Sequence, residues 1–489
     1  VGYGTTSQLP APEFNYVDQD ANADTYAAAW SLTQIELPSG GKISVDYEAD
    51  DYRYVQNKEA LQMFKLAGAG DKKDPVAETI DNDFNFYSTS STSNGSYLYG
   101  KDGSGDWLHA DYLYFEIGEN ISASEFRSKY LNVLPTNEDG DRLIYFRTFM
   151  NMTKKGAASS GWTGEDFDYV TGYFILDDDT PANTCETFTQ SSKYFASVKM
   201  KHVHMNKSQT TGTKLVNPIS KASWHFGRKY LSKYIYGLPE LDGSGAPEVV
   251  MDALYNLGQN LKETFVGANG LLRDKKIGKR FIPAKSWIRL GAPPSGKKGG
   301  GCRVKEIKMS DEWATMISET VDGYTDQNYG QTYTYELEDG TSSGVAMYEP
   351  VGCKENPFVQ PVYVNIHRTL APDEDNFMEM PFGESFFPNP KVTYSRVSVQ
   401  NLERVDGGDV VKKNATGKVV TEHYTSKDYP TIVDQTMMEV KEDHNPLLLG
   451  LLHLNVKKHL TLSQGYVVHL NDMDGKMKAQ YVYAEGQED

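Results

Sequence analysis

Apolar and polar residues alternate one by one over much of this chain, and short turn signals interrupt the alternation. The clearest stretch runs from Tyr466 to Tyr483 and turns on Asp474-Gly475. Asp-Gly favours the two-residue type I′ turn, whose central residues both need φ > 0. That turn predicts a hairpin with Leu470 opposite Ala479, Val468 opposite Tyr481 and Tyr466 opposite Tyr483. The other side pairs Val467 with Val482, His469 with Gln480 and Asn471 with Lys478. One side is aromatic and aliphatic and the other mostly polar, the pattern of a half-buried antiparallel ribbon. Trp30 to Tyr54 predicts a second hairpin, with paired residues summing to 80 about a Ser39-Gly40-Gly41 turn. Gln56 to Phe64 reads as a short helix.

Farther along, the texture changes. Residues 66–105 are rich in Gly, Asp, Ser, Asn and Thr, and Ser88 to Ser96 is loop-like. From Trp107 to Leu176 strands alternate with one helix, Ser122 to Leu131, for which Ser122 is the N-cap and Glu125 completes a capping box. Tyr194 to His204 is another strand. Pro247 opens the strongest helical pattern, with Val250, Ala253, Leu254, Leu257, Leu261 and Phe265 on one stripe and Gly267 closing it. Strand texture returns at Trp287 and continues to the end. No strict period ties these strands together, which excludes a simple propeller or solenoid. The predicted class is mainly β: an antiparallel hairpin ribbon winding into a curved sheet or shell, with a small α+β insertion and one clear helix. The predicted units are a hairpin segment over 1–65, an insertion over 66–215, a helical and basic connector over 216–296, and a second hairpin segment over 297–489.

Charge narrows the partners. Lys and Arg number 49 against 67 Asp and Glu, so 49 − 67 = −18, which disfavours a general nucleic-acid binder. The most apolar run, Pro446 to Val456, falls far short of the ~20 residues that a membrane-spanning helix needs. Tyr (32) outnumbers Phe (20) and Trp (6), which suits pleated, half-wet surfaces. Cys185, Cys302 and Cys353 form no Cys-x-x-Cys pair and are read as isolated thiols. The first residue is Val1 and the chain trails off after a strand, so a processed piece or a segment of something longer is expected.

Long stretches resemble the Rhs/YD-repeat superfamily, and within it a group of giant secreted bacterial Rhs-like proteins. They include LTQIELPSGGKISVDYEADDYRYVQNK (Leu32 to Lys58), NPISKASWHF (Asn217 to Phe226), FIPAKSWIRL (Phe281 to Leu290) and KKGGGCRVKEIKMSDEW (Lys297 to Trp313). Others are YGQTYTYE (Tyr329 to Glu336), SSGVAMYEPVGCKENPF (Ser342 to Phe358), PFGESFFPNPKVTYSRVSVQNL (Pro381 to Leu402), NATGKVVTEHYTSKDYPT (Asn414 to Thr431) and GYVVHLNDMDGKMKAQYVYAEGQ (Gly465 to Gln487). The resemblance implies hairpins wound into a hollow shell that encloses a toxin or other cargo, with secretion machinery or a cell-surface partner. It also implies a secreted or cell-surface location. The Asp-Pro-rich signature of self-cleavage is not evident, so the resemblance makes this chain wall rather than cargo or protease.

The chemistry-bearing residues are sparse. His202 and His204 share one strand face and could take Zn²⁺ with a third ligand, yet no partner can be named. Asn137 to Asp141 resembles the start of a Ca²⁺ loop, but Thr148 stands where the twelfth-position Glu belongs, and a surface turn fits better. Asp177-Asp178-Asp179 and Asp373-Glu374-Asp375 read as solvated acidic loops. The basic run Arg273 to Arg280 is assigned to the protein's own acidic surface or to the remainder of a longer polypeptide. Gly299-Gly300-Gly301 lacks the ending of a phosphate loop. Asn94, Asn120, Asn151, Asn206 and Asn414 head Asn-x-Ser/Thr triplets, read as chance. No catalytic, cofactor or metal residue is predicted. The expected role is a non-enzymatic shell segment. The alternative is a cell-surface adhesin or carbohydrate-binding module of a filament, and an enzyme with scattered carboxylates ranks third.

Overall fold

Seven antiparallel strands lie side by side in the order in which the chain makes them: Gln34–Glu36, Lys42–Tyr52, Lys297–Ser310, Asn328–Thr334, Arg396–Asn401, Lys418–His423 and Met477–Tyr483. This is a meander whose connections carry whole substructures. The computed structural model describes residues 23–77, 95–101, 104–137, 139–152, 167–205, 215–231, 235, 267–293, 295–310, 328–349, 360–366, 374–380, 391–402, 404–406, 409–411, 417–436, 439–446, 455–463, 465–470 and 472–484. The fold is mainly β and its sheets are antiparallel, apart from a short parallel pairing of Tyr54–Val55 with Val345–Ala346.

Register gives the meander two unlike faces. Ile35 pairs with Ile43, Ile43 with Met309 and Met309 with Tyr329. Four residues on, Tyr333 pairs with Val399, Val399 with Val419 and Val419 with Val482. Partners in register share a face, and so do residues an even number apart on one strand, so both rows form one apolar surface. No member of either row enters a buried cluster of the described residues; Ile35 is 41%, Tyr329 55% and Val482 64% exposed. The opposite surface carries Gln34, Ser44 and Lys308 in one row and Glu306, Thr332, Gln400 and Lys418 in the next, and two residues along from the last pair it buries Ser398 and Val420.

The largest connection, between Tyr52 and Lys297, holds a nine-stranded sheet. Its order runs Cys185–Gln190, Lys193–Lys199, Tyr112–Ile117, Leu61–Gly70, Trp287–Gly291, Leu143–Asn151, Arg280–Phe281 and Ser96–Tyr97, with Phe167–Ile175 also paired to Leu143–Asn151. Alternation decides the core. Leu113 and Phe115, Ile144 and Phe146, Val170 and Phe174, and Ile288 and Leu290 all enter the main cluster. Helices Pro218–Tyr230 and Ala268–Lys275 supply Ile219, Trp224, Leu271 and Leu272 to it. The reverse face holds smaller groups: Tyr112, Tyr114, Phe188 and Phe195, then Met63, Tyr145 and Trp287. The predicted capping box is present: the Glu125 backbone N–H donates to Ser122 Oγ, and the Ser122 N–H donates to Glu125 Oε2 at 2.9 Å. The helix Ala123–Phe126 passes into a π-turn, Arg127–Leu131, that buries Tyr130 and Leu131.

Several expectations are corrected. The Tyr466–Tyr483 hairpin does not form. Tyr466–His469 pairs with Ile432–Gln435, placing Val468 opposite Val433, and Met477–Tyr483 pairs with Lys418–His423, placing Tyr481 opposite Val420. A turn is present, since the Lys476 N–H donates to Met473 O, but only Gly475 is left-handed, at φ 80°. A type I′ turn needs Asp474 there too, and other turn types splay their strands. Tyr424 then takes both free edges: the Gly475 N–H donates to its carbonyl and its N–H donates to Lys476 O. The Trp30–Tyr54 hairpin forms two residues out of the expected register, Ile35 facing Ile43, about the loop Pro38-Ser39-Gly40 with Gly40 at φ 87°. A slip of two leaves every side chain on its expected face. The helix expected over Gln56–Phe64 is instead a tight hairpin, Tyr54–Val55 with Lys58–Glu59, followed by the strand Leu61–Gly70. Gln56 sits left-handed at φ 54°, and the apolar run that follows alternates between two buried sides of a central strand, which hides its period.

The helix expected over Pro247–Phe265 lies outside the described residues, as do residues 1–20 and most of 88–96; Gly267 begins the helix Ala268–Lys275. The unit boundary expected at 65/66 falls within Leu61–Gly70, and residues 216–296 contribute Trp287–Gly291 to the same sheet. The start of the last unit, 297, coincides with the first residue of a meander strand.

Candidate functional site: a buried polar seam at the root of the insertions

Where the insertions leave and rejoin the meander, charged side chains are drawn inward. Lys297 Nζ stands 2.8 Å from Glu349 Oε1, the two side chains 0% and 1% exposed, and Tyr52 Oη donates to the same oxygen at 2.5 Å. The strand order explains the meeting. Tyr52 ends the strand before the large insertion, Lys297 begins the strand after it in register with Tyr52, and Glu349 follows the Gly344–Ala346 strand.

Beside this pair lies an arginine fork. Arg303 Nε donates to Glu48 Oε1 and Arg303 Nη2 to Asp51 Oδ2, both at 2.7 Å, with the guanidinium 4.5 Å from the Tyr335 ring centroid and 5.0 Å from that of Tyr394. Burial works against this charge. The hydrogen bond that Arg303 donates to Asp51, with the charges of Tyr394 and Asp51, outweighs it and holds the Arg303 pKa above its ordinary value. Tyr394 Oη donates to Asp50 Oδ1 at 2.6 Å; burial nonetheless raises the Asp50 carboxyl. Ser342 Oγ hydrogen-bonds Asp51 Oδ1.

Side-chain amides and hydroxyls extend the seam. Gln56 Nε2 donates to Met347 O at 2.6 Å, and Gln56 Oε1 accepts the Thr431 N–H at 2.8 Å. Asp474 Oδ1 accepts from Thr393 Oγ1 at 2.8 Å and from the Ser426 N–H at 3.1 Å. Gly344 permits a close backbone approach: a Cβ there would lie 2.0 Å from Asp51 O. The arrangement ties six chain segments together. Its charges face one another across short, shielded gaps.

The residues singled out from the sequence are scattered. His202 Nε2 lies 3.1 Å from Asp111 Oδ1 and 3.2 Å from Ala110 O, and its ring centroid is 6.2 Å from that of His109. Among the described residues, no three His, Cys, Asp or Glu side chains gather as a metal site. His109 Nδ1 accepts the Asn217 N–H; burial, then the charges of His202 and Arg273, pushes this imidazole down to about 3. Asn137 closes a turn on itself, its Oδ1 accepting the N–H of Asp139 and of Asp141. Asp177, Asp178 and Asp179 pair with Lys199, with Arg127 and Arg142, and with Lys201. Asp373 lies outside the described residues, whereas Glu374 and Asp375, expected in a loop, begin the strand Glu374–Met380 and pair with Ile366 and Asn365.

The basic run is spent within the fold: Arg273 lies over Trp107 at 4.9 Å and Arg280 over Tyr97 at 4.7 Å. Gly299–Gly301 occupies a register shift of the Lys297–Ser310 strand. Cys185 is buried, its thiol pushed up to about 11 by that burial; Cys302 is half-buried and Cys353 lies outside the described residues. No described helix is long and apolar enough to cross a membrane.

Sequence reasoning missed Tyr52, Lys297, Arg303 and Glu349. One signal was available: Glu349 stands inside the apolar run VAMYEP, where a carboxylate needs a partner. The class defined by this geometry is a mainly antiparallel β-protein, a meander with inserted substructures tied at a buried polar seam. Comparison with protein families, curated proteins and solved structures finds no match for the chain.

Proposed function

We propose that this chain is a non-enzymatic wall segment of a large secreted Rhs/YD-repeat-like protein, which encloses, scaffolds or displays an effector or other cargo. Its partners are the remainder of a longer parent polypeptide, the cargo and the secretion machinery, and its place is outside a bacterial cell. The two-faced meander carries this reading. A sheet folded over its own core buries its apolar side, whereas here Tyr329 and Val482 stay exposed across from a polar surface. A wall needs two such unlike faces. The seam fits the same role, because it holds inserted substructures to the wall.

The test compares two single-cysteine reporters, Val399→Cys on the apolar side and Ser44→Cys on the polar side, each in the intact parent protein with Cys185, Cys302 and Cys353 replaced by alanine. Maleimide is expected to label the Ser44 reporter fully and the Val399 reporter only after the parent is opened with denaturant. Equal labelling of both in the intact parent sinks the wall reading.

The alternative, a carbohydrate-binding adhesin, draws on the aromatic face formed by Tyr145, Tyr169, Tyr173 and Trp287. That face is already engaged: Tyr145 and Trp287 are buried, and the Arg289 guanidinium lies 4.5 Å from the Tyr145 ring centroid. Glycan binding lost on Tyr169→Ala would restore the adhesin reading.

A further inference from the structure

We propose that Lys297 and Glu349 become joined by an amide bond that the protein forms by itself. Among the described ion pairs this is the one whose two side chains are both shut off from solvent, at 0% and 1% exposure. Removing an ammonium and a carboxylate from water is costly, and mutual attraction repays it only in part. Proton transfer from Nζ to the carboxylate cancels both charges. It also makes the pair reactive, because a neutral amine is a nucleophile and a neutral carboxylic acid an electrophile.

The geometry supplies the rest. Nζ already touches Oε1 at 2.8 Å, so the adjoining Cδ is within reach of the nitrogen lone pair. Tyr52 Oη donates to that same oxygen at 2.5 Å, where a general acid must stand if Oε1 is to leave.

The step balances without any co-reactant. The ammonium begins with three protons. One passes to the carboxylate, the Nζ lone pair then bonds to Cδ, and the Cδ–Oε1 bond breaks with its electron pair remaining on oxygen. A second Nζ proton reaches that oxygen through the Tyr52 hydroxyl, and Oε1 departs as water. One N–C bond forms, one C–O bond breaks, and nothing is oxidised or reduced. In bulk solution, water and ion solvation oppose this condensation. Here the partners are held at an effective molarity that reaches on the order of 10⁵ M for well-oriented groups, in a place closed to solvent.

The bond would close a covalent loop over residues 297–349 at the root of the insertions. It would staple a protein whose described cysteines, Cys185 and Cys302, are both unbridged.

The intact mass of the purified, denatured full chain tests this directly. The expected value lies below the sequence mass by one water. A tryptic digest should contain a branched peptide joining the Lys297 and Glu349 segments. Lys297→Met and Glu349→Met should each show their full sequence mass, and Tyr52→Phe should give a mixture that converts slowly on standing. A wild-type chain at full sequence mass overturns the proposal, as does a water loss without the branched peptide, which would place dehydration elsewhere. If neither substituted chain folds, the wild-type mass and digest still decide the matter.

Discussion

Acid should destabilise this protein through His109, and the size of the effect follows from the structure. The imidazole is 8% exposed, packs against Tyr99 at 5.3 Å between ring centroids, and accepts the Asn217 N–H at Nδ1. Its pKa falls from 6.5 to about 3 on folding, through burial first and then the charges of His202 and Arg273. A folded-state pKa lowered in a base means that the unfolded chain binds the proton first. Stability is therefore complete above the unfolded pKa and is lost as pH falls from 6.5 towards 3. The whole shift, 6.5 − 3, corresponds to about 5 kcal/mol at ~1.4 kcal/mol per unit. At about pH 5 only the unfolded state is appreciably protonated, and the loss is about 2 kcal/mol. The assay is urea unfolding followed by tryptophan fluorescence at about pH 7.5 and about pH 5, on the wild type and on His109→Gln. Carboxylates and other histidines contribute equally to both proteins, so the difference between their pH dependences isolates this site. The wild type should lose about 2 kcal/mol more than the variant. Equal losses in the two proteins would refute a neutral, buried His109.

Three further outcomes are expected. Arg303→Met should cost about 3–5 kcal/mol, read by chemical unfolding, because Glu48 and Asp51 keep their charges and lose their shared partner; a cost below about 1 kcal/mol would mean solvent reaches them readily. Gly344→Ala should lower the melting temperature sharply, since its Cβ would lie 2.0 Å from Asp51 O, whereas Gly475→Ala has open space around it and should cost only about 1–2 kcal/mol of left-handed strain. Ser122→Ala should cost about 1 kcal/mol by removing the cap, and a Ser122→Thr chain should retain most of that stability.

Local chemistry was legible where it was self-contained. The Ser122–Glu125 box spans four residues and formed as read, and the Asn137 turn needs nothing beyond Asp141. The β-class and the two-faced alternation were also visible, since period two survives whatever partner a strand takes. Pairing was not. Tyr466–His469 and Met477–Tyr483 each find partners from an earlier stretch, because Asp474 is engaged by Thr393 and Ser426 and is not free to shape a two-residue turn. The Gln56–Phe64 error has a related cause: a strand buried on both sides loses its alternation and counterfeits a short helix. The seam escaped altogether, because Lys297 and Glu349 are joined by topology rather than by spacing.

The Tyr52-to-Lys297 excursion bears on how the polypeptide assembles. Bringing two meander strands together across a few hundred flexible residues costs ~3 kcal/mol more chain entropy than closing a loop of a handful. That deficit disappears if the excursion matures first. Leu61 and Gly291 are register partners in its own sheet, so once that sheet exists its two ends emerge side by side. Tyr52 and Lys297, themselves partners, then meet as though joined by a tight reverse bend. The nine-stranded unit thus acts as a self-tying knot in the cord, and the outer sheet can zip past it in chain order as each strand is delivered.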